Sequence, residues 1–111
     1  MQEGFQQFGY VGEKIPIQVE NCENYAPYGG TWYRQESIYI HVHIGIGGLT
    51  PNTNVVIATI PIGVSPENTV TCHGVGSGLL DISAVHIGVG GKINIVSETN
   101  HAMIDIYYLK R

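Results

Sequence analysis

Apolar and polar positions alternate with a period of two along most of this chain, and the alternation stops wherever glycine or proline interrupts it. "KIPIQVE" sets Ile15, Ile17 and Val19 against polar neighbours, which predicts a strand with one buried face. "NYAPYGGTWY" follows as a loop, with Pro27, Gly29 and Gly30 among four aromatic residues. From Glu36 the predicted strands come at close spacing. Ile38, Ile40, Val42, Ile44 and Ile46 share one face of the next strand, and Tyr39, His41 and His43 share the other, because successive side chains of a strand point to opposite sides. "GGLTPNT" ends that run, "NVVIATI" is a nearly continuous apolar strand, and the two prolines and glycine of "PIGVSPENT" force an irregular crossing.

"TVTCHGVGSG" and "LLDISAVHIGV" read as two further strands. The second joins "KINIVS" through "GVGGK", whose glycines permit the positive φ of a hairpin turn. The last element, "AMIDIYYLK", sets Ala102, Ile104, Ile106 and Tyr108 against Met103, Asp105 and Tyr107. No helical period persists long enough to compete. Six to eight short strands with turn signals between them predict an all-β protein, an antiparallel β-sandwich or jelly-roll-like barrel.

A length of 111 residues suits one domain. Residues 1–30 read as a polar, linker-like segment with one strand, and residues 31–111 as the sandwich. Net charge of −4 and a pI of about 5.6 leave no electrostatic footprint for nucleic acid or anionic lipid. The N-terminus lacks the basic and apolar regions of an export signal, and no apolar run reaches membrane-spanning length, so no membrane insertion is expected.

The distribution of charge says more than its total. Between Ile38 and Gly91 the carboxylates are Glu67 and Asp81 alone, and lysine and arginine are absent. A β segment so poor in charge is expected to cover part of its outer face with another copy of the chain. Cys22 and Cys72 have no CxxC spacing, so zinc knuckles and redox motifs are excluded, and two buried thiols are expected over one long-range disulfide.

His41 and His43, at i and i+2 on a strand, point the same way, as His-x-His metal ligands do in cupins. A cupin site adds a glutamate a few residues downstream, and "HVHIGIGGL" offers no acidic residue there. A parallel trimer with this strand on its axis would instead gather six imidazoles around an ion. The expectation adopted is a polar solvent or interface face, with no metal and no cofactor.

Catalytic patterns are weak. Glu67 and Asp81 are the acids available to the central strands for glycoside cleavage, and Ser77 in "GVGSGLL" lies one position off a nucleophile elbow. Saccharide binding suits the inventory better, since it needs an aromatic platform and a few planar hydrogen-bonding groups. Trp32, His73, Asp81, His86 and Asn94 are the candidate contacts.

In order, "GGTWYRQESIYIHVHIGI", "VVIATIPIGVSPENTVTCHGVGSG", "AVHIGVGGKINIV" and "AMIDIYYLK" resemble the C-terminal head domain of siphophage receptor-binding and baseplate or tail-fibre proteins. Tyr33-Arg34, "TIPIGVSP" and "VHIGVGGKINI" carry the resemblance, which covers roughly residues 30 to 111. It implies a homotrimer of β-sandwich heads on the virion, attached to other tail or baseplate proteins and recognising bacterial cell-wall or surface polysaccharide. In lactococcal relatives the saccharide site uses a His before a hairpin, an Asp two residues on and a Trp after the turn. His86 takes the first of these positions, Gly88 stands at the second and Asn94 or Ile95 near the third. The resemblance thus implies a non-catalytic binding head. A structural trimerisation or decoration module without a ligand, and a polysaccharide depolymerase acting through Glu67 or Asp81, are the alternatives.

Overall fold

The computed structural model describes residues 9–76 and 82–111. Among them the strands are β1 (Ile15–Pro16), β2 (Glu23–Asn24), β3 (Trp32–Glu36), β4 (Tyr39–Gly47), β5 (Val55–Thr59), β6 (Val70–Gly76), β7 (Ile82–Ile87), β8 (Lys92–Ser97) and β9 (Ala102–Leu109). Single 3-10 turns occupy Ala26–Tyr28 and Ile62–Val64. All pairings are antiparallel, in the order β1-β3-β4-β9-β6-β7-β8-β5, and β2 adds to one end of β4. The expected antiparallel sandwich is the fold found.

One weak ladder makes it a sandwich. β9 pairs with β4 along its whole length, from Tyr39↔Leu109 to Ile46↔Ala102, but among the described residues it meets β6 only at Val75↔Met103 and Gly76↔Ala102. The sheet folds over at that corner into two layers, β1-β3-β4-β9 and β6-β7-β8-β5. Isoleucine and valine fill the space between them. Ile40, Val42, Ile44 and Ile46 from β4 and Ile104 and Ile106 from β9 meet Ile57, Val85, Ile87, Ile93 and Ile95 of the other layer. Burying each such side chain contributes about 1.5–3 kcal/mol. β9 obeys the period without exception: Ala102, Ile104, Ile106 and Tyr108 are buried and the residues between them exposed.

Departures from the sequence pattern have local causes. The predicted strand of "KIPIQVE" contracts to Ile15–Pro16 at the sheet edge, because Pro16 has no N–H to donate and Asn21 turns the chain with a φ of 61°. Residues 9–30, read from composition as linker-like, lie against the sandwich: Ile17 is in the core and the Glu20 N–H donates to the Ile57 carbonyl at 2.8 Å. A shift of register between Val56 and Ala58 in β5 lets consecutive Ile57 and Ala58 both be buried, which explains the uninterrupted apolar run. At the β7–β8 hairpin Gly91 takes a φ of 92° and its carbonyl accepts from the Ile60 N–H at 2.9 Å. The C-terminus locks this end, where Arg111 donates to the carbonyls of Ser65, Pro66 and Val89.

Cys22 and Cys72 are both free and half-buried against the core. Burial, then the nearby Glu20 and Glu23 carboxylates, pushes the Cys22 thiol up to about 11. A rise from 9.0 to about 11 lowers the thiolate fraction at neutral pH about 100-fold. Peptide-mapped alkylation should therefore modify Cys22 slowly at pH 7.5 and accelerate as pH approaches 11. Rapid modification at pH 7.5 would refute the burial.

Candidate functional site

Pairing across three strands creates the most developed polar cluster among the described residues. Trp32 of β3 lies opposite His43 of β4, which lies opposite Asp105 of β9. One rung along, Arg34, His41 and Tyr107 repeat the arrangement. Side chains two apart on a strand share a face, so all six lie on the outer surface of this sheet. Glu36 reaches the same cluster from the end of β3.

Asp105 Oδ1 lies 2.7 Å from His41 Nε2 and 2.7 Å from His43 Nδ1. The far nitrogen of each ring is also held: His41 Nδ1 donates to Glu36 Oε2, and His43 Nε2 donates to the Tyr28 carbonyl at 2.6 Å. Arg34 Nε donates to the same glutamate oxygen at 2.7 Å. Rings close the sides. Trp32 stacks on His43 with centroids 5.1 Å apart, and Tyr107 stacks on His41 at 4.2 Å. Lys14 Nζ lies 4.6 Å from the centre of the Trp32 ring.

The histidines are 6% and 9% exposed, whereas the Asp105 side chain is 48% exposed. Burial alone would raise the Asp105 carboxyl, but hydrogen bonds from His41 and His43, with their charge, outweigh it and hold it below the ordinary value. Glu36 is lowered in the same way: burial would raise it, but hydrogen bonds and charge from Arg34 and His41 together outweigh that. The cover over His43 comes from the loop at residues 25–31. There the 3-10 turn aims the Tyr28 carbonyl inward, and the Tyr25 N–H donates to the Gly45 carbonyl at 2.9 Å.

The outer face of the second sheet is different in kind. Thr71, His86 and Asn94 stand side by side on β6, β7 and β8. His73 follows Thr71 on the same exposed side. The Thr71 hydroxyl and His86 Nδ1 share a hydrogen bond of 3.1 Å, and Asn94 Nδ2 donates to Asn54 Oδ1 at 3.4 Å. These groups are planar or hydroxylic, and exposed or half-exposed. A cleft of about 590 Å³ lies elsewhere, between the N-terminal residues Tyr10–Glu13 and β3.

No protein-family model and no curated protein matches this sequence. Among solved structures, the receptor binding protein (gp15) of Listeria phage PSA is similar, with a TM-score of 0.72 and 15% sequence identity over 99% of this chain and 71% of that one. This chain shares that protein's fold.

The saccharide contacts expected from sequence separate onto two faces. His73, His86 and Asn94 come together on the second sheet, Trp32 lies on the first, and Asp81 falls outside the described residues. The Trp32 ring is occupied by His43, His41, Arg34 and Lys14, and so does not resemble a bare sugar platform. His41 and His43 require a correction. They do share a polar outer face, but the 25–31 loop and flanking rings leave little of either ring exposed, and two carboxylates reach them. Sequence reasoning looked for an acid downstream of His43 on its own strand, whereas Asp105 arrives from a strand 62 residues away. The one signal available was an acid interrupting the polar face of β9.

Proposed function

We propose that this chain is the receptor-binding head of a phage tail. It assembles as a homotrimer, is held on the virion by other tail or baseplate proteins, and binds bacterial cell-wall or surface polysaccharide without catalysis. The observation that carries this reading is the fold shared with a phage receptor binding protein over 99% of the chain. The outer face of the second sheet supplies the chemistry: His73, His86 and Asn94 offer hydrogen bonds to hydroxyl groups without the desolvation cost of a buried charge. Three such faces on one particle raise a weak single-site affinity by avidity.

The test combines mass and binding. Light scattering on the full chain should report three copies per particle in dilute buffer, and a monomer would remove the trimer from the proposal. Immobilised host cell-wall polysaccharide should retain the wild type. A His86→Ala/Asn94→Ala variant should bind at least about tenfold more weakly, because each lost contact is repeated in every linked site. Full retention by that variant would move the site off this face. No retention of the wild type would favour a structural module, and release of reducing sugar would replace the non-catalytic reading with a depolymerase.

A further inference from the structure

We infer that His41, His43 and Asp105 form a binding site for a divalent transition-metal ion of the zinc class. Their ligating atoms all lie within 4.8 Å of one another. The inference does not depend on the receptor reading, since it concerns the opposite sheet and each can fail alone.

Hydrogen bonding carries the argument. The Tyr28 carbonyl can only accept, so His43 carries a proton on Nε2, and its Nδ1 faces Asp105. Glu36 likewise takes the His41 Nδ1 proton, and its Nε2 faces the same oxygen. Neutral rings in these tautomers aim two nitrogen lone pairs at a carboxylate oxygen 2.7 Å away. That arrangement needs positive charge between the groups. It is satisfied by a proton on each inner nitrogen or by one divalent cation, with the same net charge.

Three features favour the metal ion. A ligating histidine almost always donates its other N–H to a carboxylate or backbone carbonyl, and here one ring has each. Bonds of about 2.0–2.2 Å from one ion to imidazole nitrogen and carboxylate oxygen place neighbouring donors roughly 3 Å apart. To accept it, the observed 2.7 Å contacts open slightly and the two imidazole nitrogens, within 4.8 Å of each other, draw together. Finally, the ligands sit on adjacent rungs of the β4–β9 ladder with Trp32 and Tyr107 stacked on the two rings, so the donor set is held before any ion arrives. Two imidazoles and one carboxylate select zinc, iron, cobalt or nickel over calcium and magnesium. The exposed side of Asp105 leaves further coordination positions open to water or a ligand from outside.

The experiment uses the full chain, stripped by chelator and dialysed, with Zn²⁺ followed by calorimetry and Co²⁺ by visible absorption. The expected result is about one ion per chain, cobalt ligand-field bands, and a higher unfolding temperature in excess Zn²⁺. Asp105→Asn, nearly isosteric, should lower Zn²⁺ affinity more than tenfold. Glu36→Gln, which touches no ion, should lower it about 10–100-fold while leaving the metal-free circular dichroism unchanged. His86→Ala on the other sheet should bind like the wild type. The inference is overturned if the folded wild type takes up neither ion, or if uptake is unchanged in both Asp105→Asn and Glu36→Gln. Should Asp105→Asn fail to fold, Glu36→Gln decides alone.

Discussion

Gly74→Ala is expected to lower the unfolding midpoint by more than about 10 °C, a loss at or beyond the top of the ~1–3 kcal/mol usual for overpacking. A Cβ at Gly74 would stand 1.9 Å from Cγ1 of Ile104, 2.8 Å from its Cδ1 and 2.9 Å from its Cβ. Ile104 is 3% exposed and closed in by the core, so it has nowhere to swing. The site is also the worst place for a shift, because Gly74 lies next to the two rungs by which β6 meets β9 and the sheet folds over. A double-mutant cycle separates this clash from a general intolerance of β6. Ile104→Ala alone should lose about 2–5 kcal/mol, yet Gly74→Ala/Ile104→Ala should lose clearly less than the sum, because the smaller partner accepts the new methyl. Strict additivity in chemical denaturation would show that the contact is not the cause.

The second large effect is expected from Gly45→Ala, through different physics. Its Cβ would lie 2.6 Å from the Tyr28 carbonyl oxygen, 2.7 Å from that of Gly30 and 2.9 Å from the Tyr28 Cβ. These atoms belong to a loop and not to the core, so the loop should lift from β4. The Tyr25 N–H to Gly45 bond and the His43 Nε2 to Tyr28 bond would go with it. Stability should fall by about 1–3 kcal/mol. More telling is the His43 ring, whose Nε2 proton, held in the wild type by the Tyr28 carbonyl, should be seen by nitrogen NMR there and vanish in the variant. Persistence of that resonance would place the loop elsewhere.

Both predictions concern positions where the alternation of the sequence is silent. Glycine at 45 and 74 reads as a weak strand residue, and only packing shows what approaches it. The histidine cluster is a stronger case of the same limit. "YIHVHIGIGG" placed His41 and His43 on one face, which is correct. It could not say that a loop would cover that face, or that Asp105 would stand opposite His43. Cross-strand register is a property of two segments together, and neither segment contains it alone.

What the sequence determined by itself was the all-β sandwich, the inner faces of β4 and β9, and the hairpin at Gly91, since each follows from a period of two and from turn chemistry within a few residues. Tertiary structure alone decided that β9 would lie between β4 and β6, and therefore which acid meets which histidine. It also decided that Trp32 and His86 would occupy different sheets. The physical reason is the same throughout: alternation says which side of a strand is wet or dry, while strand order and register, set by burial of the whole core at once, choose its neighbours.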